Sequence, residues 1–291
     1  MGSKTKRTLF FLSAGILVLV AVSAFFLLKG DEDTAALLEP GTVLRVGIEC
    51  AFAPYNWEEN KASDTNLPLF TDKGFYVDGY DVQILKRVAQ SLSADVEVHK
   101  IAWEDLLPEL NEGKIDMVFS GMVDTEARRQ IVAFSDIYNA HPASYSIMTR
   151  KDSRYSEGST LADFYNARMV GQKDTILDTV IDQIYGVKHL PPIETVPQMF
   201  EYLEMGKADG VVINTESAHS YLKEYPNMAI IQFARGEGFE PPFRGLCAAI
   251  RKDNKKLLKA VNKALDRIST ETRLQLFDQM TAKAEKADKV M

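Results

Sequence analysis

Little in this chain speaks for catalysis. Its 291 residues include two cysteines, Cys50 and Cys247, and four histidines, His99, His141, His189 and His219. Two cysteines exclude a disulfide framework. One bridge in an oxidising compartment and a pair of unpaired buried thiols both stay open. The histidines are scattered without metal-ligand spacing. No GxSxG, HExxH, CxxC or GxxxxGK segment occurs, so the sequence offers no reaction centre. Net charge is −7, with no basic block beyond the N-terminus. Nucleic acid is therefore not an expected partner, and no cofactor or metal is implied.

One long apolar run is present. Leu9 to Leu28 is interrupted only by Ser13, Gly15 and Ser23, and Lys4, Lys6 and Arg7 precede it. At about 1.5 Å per residue it matches the roughly 30 Å hydrocarbon core of a bilayer. Asp31, Glu32 and Asp33 follow, so the charge bias places the N-terminus in the cytoplasm and the rest outside. Residues 1–30 are expected to be a transmembrane anchor. Val22-Ser23-Ala24 keeps a cleaved signal peptide as the alternative. Residues 31–41 read as an acidic linker.

The rest is long enough for one large domain or two lobes, with 46% hydrophobic and 26% charged residues in the whole chain. Val43 to Ile48 reads as a strand. Asn56 to Asp78 is polar and reads as a long surface excursion. Asp81 is placed to cap a helix with Val82, Leu85, Val88, Ala89 and Leu92 on its apolar face. Val96 to Ile101 alternates as a strand, Glu104 to Asn111 reads as a helix, and Ile115 to Ser120 as a buried strand. Strand-helix alternation then recurs from Ala167 onward. Such a pattern predicts an α/β fold with parallel sheets, in two halves with a cleft between them.

Three segments carry the functional expectation. VGIECAFAPYNW (Val46 to Trp57) ends a strand in a loop that presents Glu49 beside Phe52, Tyr55 and Trp57. GKIDMVFSGMVDTEARR (Gly113 to Arg129) delivers Ser120, Gly121 and Met122 at a strand's carboxyl end. Asp124 or Thr125 then caps a short helix with Arg128 in its first turn. GKADGVVINTES (Gly206 to Ser217) repeats the second segment's outline. The carboxyl ends of parallel strands are where open α/β sheets bind ligands. A helix start with an arginine fork there suits a carboxylate.

In this order and spacing the segments, together with DGYDVQILKRVA, WEDLLPEL from Trp103 and AFSD from Ala133, resemble the family 3 solute-binding proteins of amino-acid ABC importers. The resemblance runs from about Thr42 to Gln279. It implies two Rossmann-like lobes joined by a two-strand hinge, the type II periplasmic-binding-protein arrangement. Lobe 1 would hold residues 42–140 and 243–291, and lobe 2 residues 141–242. It places the ligand's α-carboxylate on Arg128 and its backbone contacts on Ser120, Gly121 and Met122. The first-loop acid and aromatic fall on Glu49 and Phe52, the opposite wall on Trp103, and the second-lobe carboxylate turn on Asp174-Thr175. The position that usually carries an acid for the ligand's ammonium holds Asn214. That departure weakens α-amine recognition or moves it to Glu49 or Glu216.

The expected function is an extracytoplasmic, membrane-tethered module that captures a polar amino acid, with a cationic side chain favoured, and delivers it to a separately encoded permease and ATPase. A tethered amino-acid sensor is the alternative. An enzyme like the cyclohexadienyl dehydratases stands further off, because Glu49 is its only strong candidate acid.

Overall fold

The computed structural model describes residues 38–39, 41–142, 144–234, 236–240 and 245–287. The anchor expected over 1–30 and most of the linker lie outside the described residues. Among the described residues no helix is long and apolar enough to cross a membrane.

Two five-stranded sheets form the framework. In the first, Val43–Ile48 runs parallel to Asp95–Lys100 on one side and to Met117–Val118 on the other. Ala249–Ile250 and Ala133–Phe134 complete it, Ala249–Ile250 being antiparallel to both neighbours. In the second, Arg168–Val170 runs parallel to Lys188–His189 and Gly210–Asn214. Tyr145–Arg150 lies antiparallel to both Gly210–Asn214 and Met228–Ile231. The sheets are mixed rather than purely parallel. The antiparallel members arise where the chain passes from one sheet to the other, after Phe134 and after Ile231. The strand Tyr145–Arg150, buried along nearly all its length, escaped the sequence reading because its alternation is lost when both faces are covered.

The recurring G-K-x-D outline has a shared structural meaning. Asp116 accepts from the backbone N–H of Arg45 at 3.0 Å and from its guanidinium at 3.0 and 2.8 Å. Asp209 does the same to Arg168 in the second sheet, at 2.8, 3.2 and 2.8 Å. Each aspartate precedes a buried strand and pins it to the parallel strand beside it. The glycine three residues earlier, Gly113 or Gly206, has positive φ, which only a residue without Cβ adopts freely.

Two readings of the sequence are corrected. Asp81 is not a cap: the helix Tyr80–Leu92 starts at Gly79, and Asp81 sits buried inside its first turn. A Cβ at Gly79 would come within 2.2 Å of the Tyr55 carbonyl oxygen, so the close approach of that turn requires glycine. Asp81 instead accepts from Asn56 Nδ2 and from the Tyr138 hydroxyl, each at 2.8 Å. Burial pushes its carboxyl up to about 7 against those bonds.

The second correction concerns residues 56–78. Three short strands, Asn56–Glu59, Leu67–Pro68 and Tyr76–Asp78, join Ala51–Phe52 in a four-stranded antiparallel sheet. Trp57, Asn56 and Asp78 are buried there. Lys283, on the C-terminal helix Thr270–Ala284, explains how a polar stretch is buried. Its ammonium sits among four oxygens, Asp78 Oδ2 at 2.5 Å, Thr65 Oγ1 at 2.9 Å, Ser63 Oγ at 3.1 Å and Glu59 Oε2 at 3.2 Å, which share its three N–H donors.

A Lys283→Met variant leaves the buried Asp78 carboxylate without its cation. Removing one partner of a buried pair is expected to cost about 3 kcal/mol or more. Urea unfolding followed by tryptophan fluorescence measures this, and a loss under about 1 kcal/mol would show that water already compensates Asp78.

Candidate functional site

Between the two sheets lies a narrow cavity of about 40 Å³. Several of its polar groups follow the carboxyl ends of parallel strands on both sides. Glu49 follows Val43–Ile48, Ser120 and Gly121 follow Met117–Val118, Gln172 and Thr175 follow Arg168–Val170, and Asn214 ends Gly210–Asn214. Each strand runs out of hydrogen-bonding partners at its end, which leaves its next residues facing the cleft.

Glu49 is buried in the first half of the molecule. Its backbone N–H donates to the Ser120 hydroxyl at 2.9 Å. Its carboxylate accepts from Gln172 Nε2, across the cleft, at 2.7 Å. The same Gln172 nitrogen lies 3.1 Å from the Glu194 carbonyl oxygen, which fixes the amide in place. Loss of water pushes the Glu49 carboxyl up to about 7, and the Gln172 bond only partly offsets this.

Arg128 stands on the short helix Glu126–Arg129, which Thr125 caps by accepting from the Arg128 N–H at 3.3 Å. Its guanidinium donates to the Val123 carbonyl at 2.9 Å and, from the other half, to the Asp174 carbonyl at 2.8 Å. These two bonds use two of its five N–H donors. The guanidinium lies over the Trp103 ring, 5.1 Å from its centroid, and Trp103 Nε1 donates to the same Asp174 oxygen at 3.3 Å. Asp174 has φ 57°, a left-handed conformation that aspartate tolerates better than most residues. Desolvation lowers the Arg128 pKa to about 10, so the group stays cationic at neutral pH.

Phe52 stacks on Tyr55, ring centroids 5.0 Å apart, and forms one cavity wall. Gly121 lies against its ring: a Cβ there would meet Phe52 at 2.9 Å, and φ is +62°. Thr175 caps the helix Ile176–Thr179 by accepting from the Leu177 N–H at 3.1 Å, and it donates to the Gln172 carbonyl at 2.7 Å. Asn214 is buried and makes no side-chain cap to the helix Thr215–Tyr221 that follows it.

Eight of the nine residues expected from sequence therefore line one cavity. Met122 does not. Its side chain is buried with Ile101, Leu106 and Val132, and its carbonyl accepts from the Cys247 N–H at 2.8 Å. The alternation of an extended segment turns Met122 into the core while Val123 lines the cavity. Gln172, Tyr145, Ile176, Leu177 and Leu246 also line it and were not singled out from sequence. Gln172 and Ile176 lie beside Thr175 in the chain, which was the available signal. Tyr145 and Leu246 arrive from distant segments and had none. The bridge left open for Cys50 and Cys247 does not form; both are buried and free.

The two halves also meet beyond the cavity. The Tyr221 hydroxyl donates to the Ala51 carbonyl at 3.1 Å and accepts from the Ala53 N–H at 3.4 Å. The cleft is thus spanned by contacts from both sides.

A probable histidine-binding protein of Neisseria gonorrhoeae is 26% identical over 242 residues, covering 82% of this chain and 83% of that protein. The ABC transporter arginine-binding protein 1 of Escherichia coli K12 is 28% identical over 204 residues, 69% of this chain and 80% of its own. The crystal structure of the substrate binding protein of an amino acid ABC transporter superposes with a TM-score of 0.67 at 26% identity, over 84% of this chain and all of that one. The model of the bacterial extracellular solute-binding proteins, family 3, matches residues 44–281. With two sheets facing across a cleft and that match over most of its length, the chain belongs to the family 3 bacterial extracellular solute-binding proteins.

Proposed function

We propose that this protein captures a polar amino acid outside the cytoplasmic membrane and passes it to a separately encoded ABC permease and ATPase. It performs no chemistry on the ligand. The observation that carries this reading is Arg128: a cation on the wall of an interlobe cavity, with N–H donors to spare and one donor already reaching the opposite half. A carboxylate is the natural complement to a guanidinium fork in such a place. Thr175, Ser120 and the backbone at Gly121 complete the carboxylate's and the backbone's surroundings. Glu49 takes a cationic group of the ligand, Asn214 a neutral hydrogen-bonding group, and Phe52 and Trp103 flank the side chain. The relatives named above carry amino-acid-binding names, which supports the ligand class.

Delivery at the membrane is supported by the family and by the N-terminal sequence. The apolar run Leu9 to Leu28, with basic residues before it and acidic ones after, suits an anchor whose N-terminus is cytoplasmic. The binding module would then be held on the extracytoplasmic face, next to its permease.

Two outcomes test the reading. Arg128→Ala is expected to keep its circular dichroism spectrum and to lose amino-acid affinity roughly 30- to 5000-fold by calorimetry, the equivalent of about 2–5 kcal/mol. Affinity near that of the wild type removes Arg128 from the site.

Binding should also release a proton. Burial pushes the Glu49 carboxyl up to about 7, and a bound cation favours its ionised form. Glu49 is mostly protonated below pH 7 and mostly ionised above it. Affinity is therefore expected to fall by up to about tenfold per pH unit below 7 and to level off above it. Calorimetry in buffers of different ionisation enthalpy counts the proton. A profile unchanged from pH 5 to 8 contradicts the role of Glu49.

A further inference from the structure

The charges around the cavity set the charge of what fits in it. Among the described residues that line it, Arg128 is the one cation and Glu49 the one carboxylate. A ligand enclosed between the halves gives up its water, so each of its charges needs an opposite partner inside. One guanidinium and one carboxylate match one carboxylate and one ammonium.

The aromatic walls do not supply a second cation seat. The Trp103 ring already carries a guanidinium, that of Arg128, 5.1 Å from its centroid. Phe52 is stacked on Tyr55 at 19° and pressed against Gly121. Asn214, where a second acid would complete such a seat, contributes an uncharged amide from the end of Gly210–Asn214. Other acids lie outside this lining: Glu58, Glu194, Glu201 and Glu224 share with Glu49 an adjoining pocket that is more open to screening solvent. Glu104 is exposed to solvent, which screens it. Glu216 lies outside the lining and faces Ser144, whose hydroxyl is 3.4 Å away.

Resting on the amino-acid-binding reading, we infer that the site selects α-amino acids of zero net charge. Glu49 takes the single ammonium, Arg128 the carboxylate, and Asn214 a neutral polar group. A basic amino acid brings a second cation into a dry cavity that has no partner for it. Asn214 is then the residue that sets specificity by charge.

The test is calorimetry on the full chain at pH 8, with the twenty amino acids plus citrulline and ornithine. At that pH histidine is neutral in its side chain. Citrulline and arginine are nearly isosteric and differ in charge. The tightest ligand is expected to carry no net charge and to bind at least tenfold more tightly than the best cationic one. In Asn214→Asp the added carboxylate is expected to move the ratio of best cationic to best neutral ligand at least tenfold toward the cationic. A cationic or anionic amino acid as the tightest wild-type ligand, or an unchanged ratio in Asn214→Asp, overturns the charge rule and leaves the amino-acid reading standing. No binding of any of these compounds overturns both.

Discussion

Everything about this cleft follows from keeping two opposite charges away from water. Ionised groups are costly to bury, and the cost is tolerable only when hydrogen bonds and a counter-charge surround them. Arg128 and Glu49 meet the requirement by reaching across the cleft. Arg128 donates to the Asp174 carbonyl, and Glu49 accepts from Gln172. Each charge in the first half is thus satisfied by a neutral dipole of the second. Burial still pulls both groups toward their neutral forms, Glu49 up to about 7 and Arg128 down to about 10. Under the proposed function, a ligand bearing one carboxylate and one ammonium would supply the charges that the neutral dipoles only approximate.

The framework positions these groups by repetition. In each sheet an aspartate grips an arginine on the parallel strand beside it, Asp116 on Arg45 and Asp209 on Arg168. The register of the strands is fixed at that end. At the other end their carboxyl termini present Glu49, Ser120, Gln172 and Asn214 to the same space. Glycine is needed where the backbone comes closest, at Gly79 against Tyr55 and at Gly121 against Phe52. The buried network of Asp81, Asn56 and Tyr138 lies just behind that wall and links it to the chain's first passage between the sheets.

The residues of the cavity were placed mainly by the resemblance to the family, which assigned Phe52, Trp103, Thr175 and Asn214 and the carboxylate role of Arg128. Local pattern alone marked Glu49, Ser120 and Gly121, where apolar strands stop at polar or glycine residues. It also put Arg128 in the first turn of a helix with a capping residue before it. Where local rules failed, distant partners had decided the outcome. Asp81 has the composition of a cap, but Asn56 and Tyr138 draw it inward. Residues 56–78 have the composition of a loop, but Lys283, far along the chain, neutralises their acids and lets them fold into a sheet. Gln172 gains its place from Glu49, and Leu246 from the returning chain; neither relation is written in the neighbouring residues. The N-terminal run lies outside the described residues, so its expected role rests on sequence alone.

The central claim is that the cleft holds an amino acid between Arg128 and Glu49. A crystal structure of the protein with its tightest-binding amino acid tests it most directly. The account predicts the ligand carboxylate within about 3 Å of the Arg128 guanidinium and its ammonium within about 3 Å of the Glu49 carboxylate, both at hydrogen-bonding distance. A ligand bound elsewhere, or one turned so that its ammonium lies away from Glu49, contradicts it.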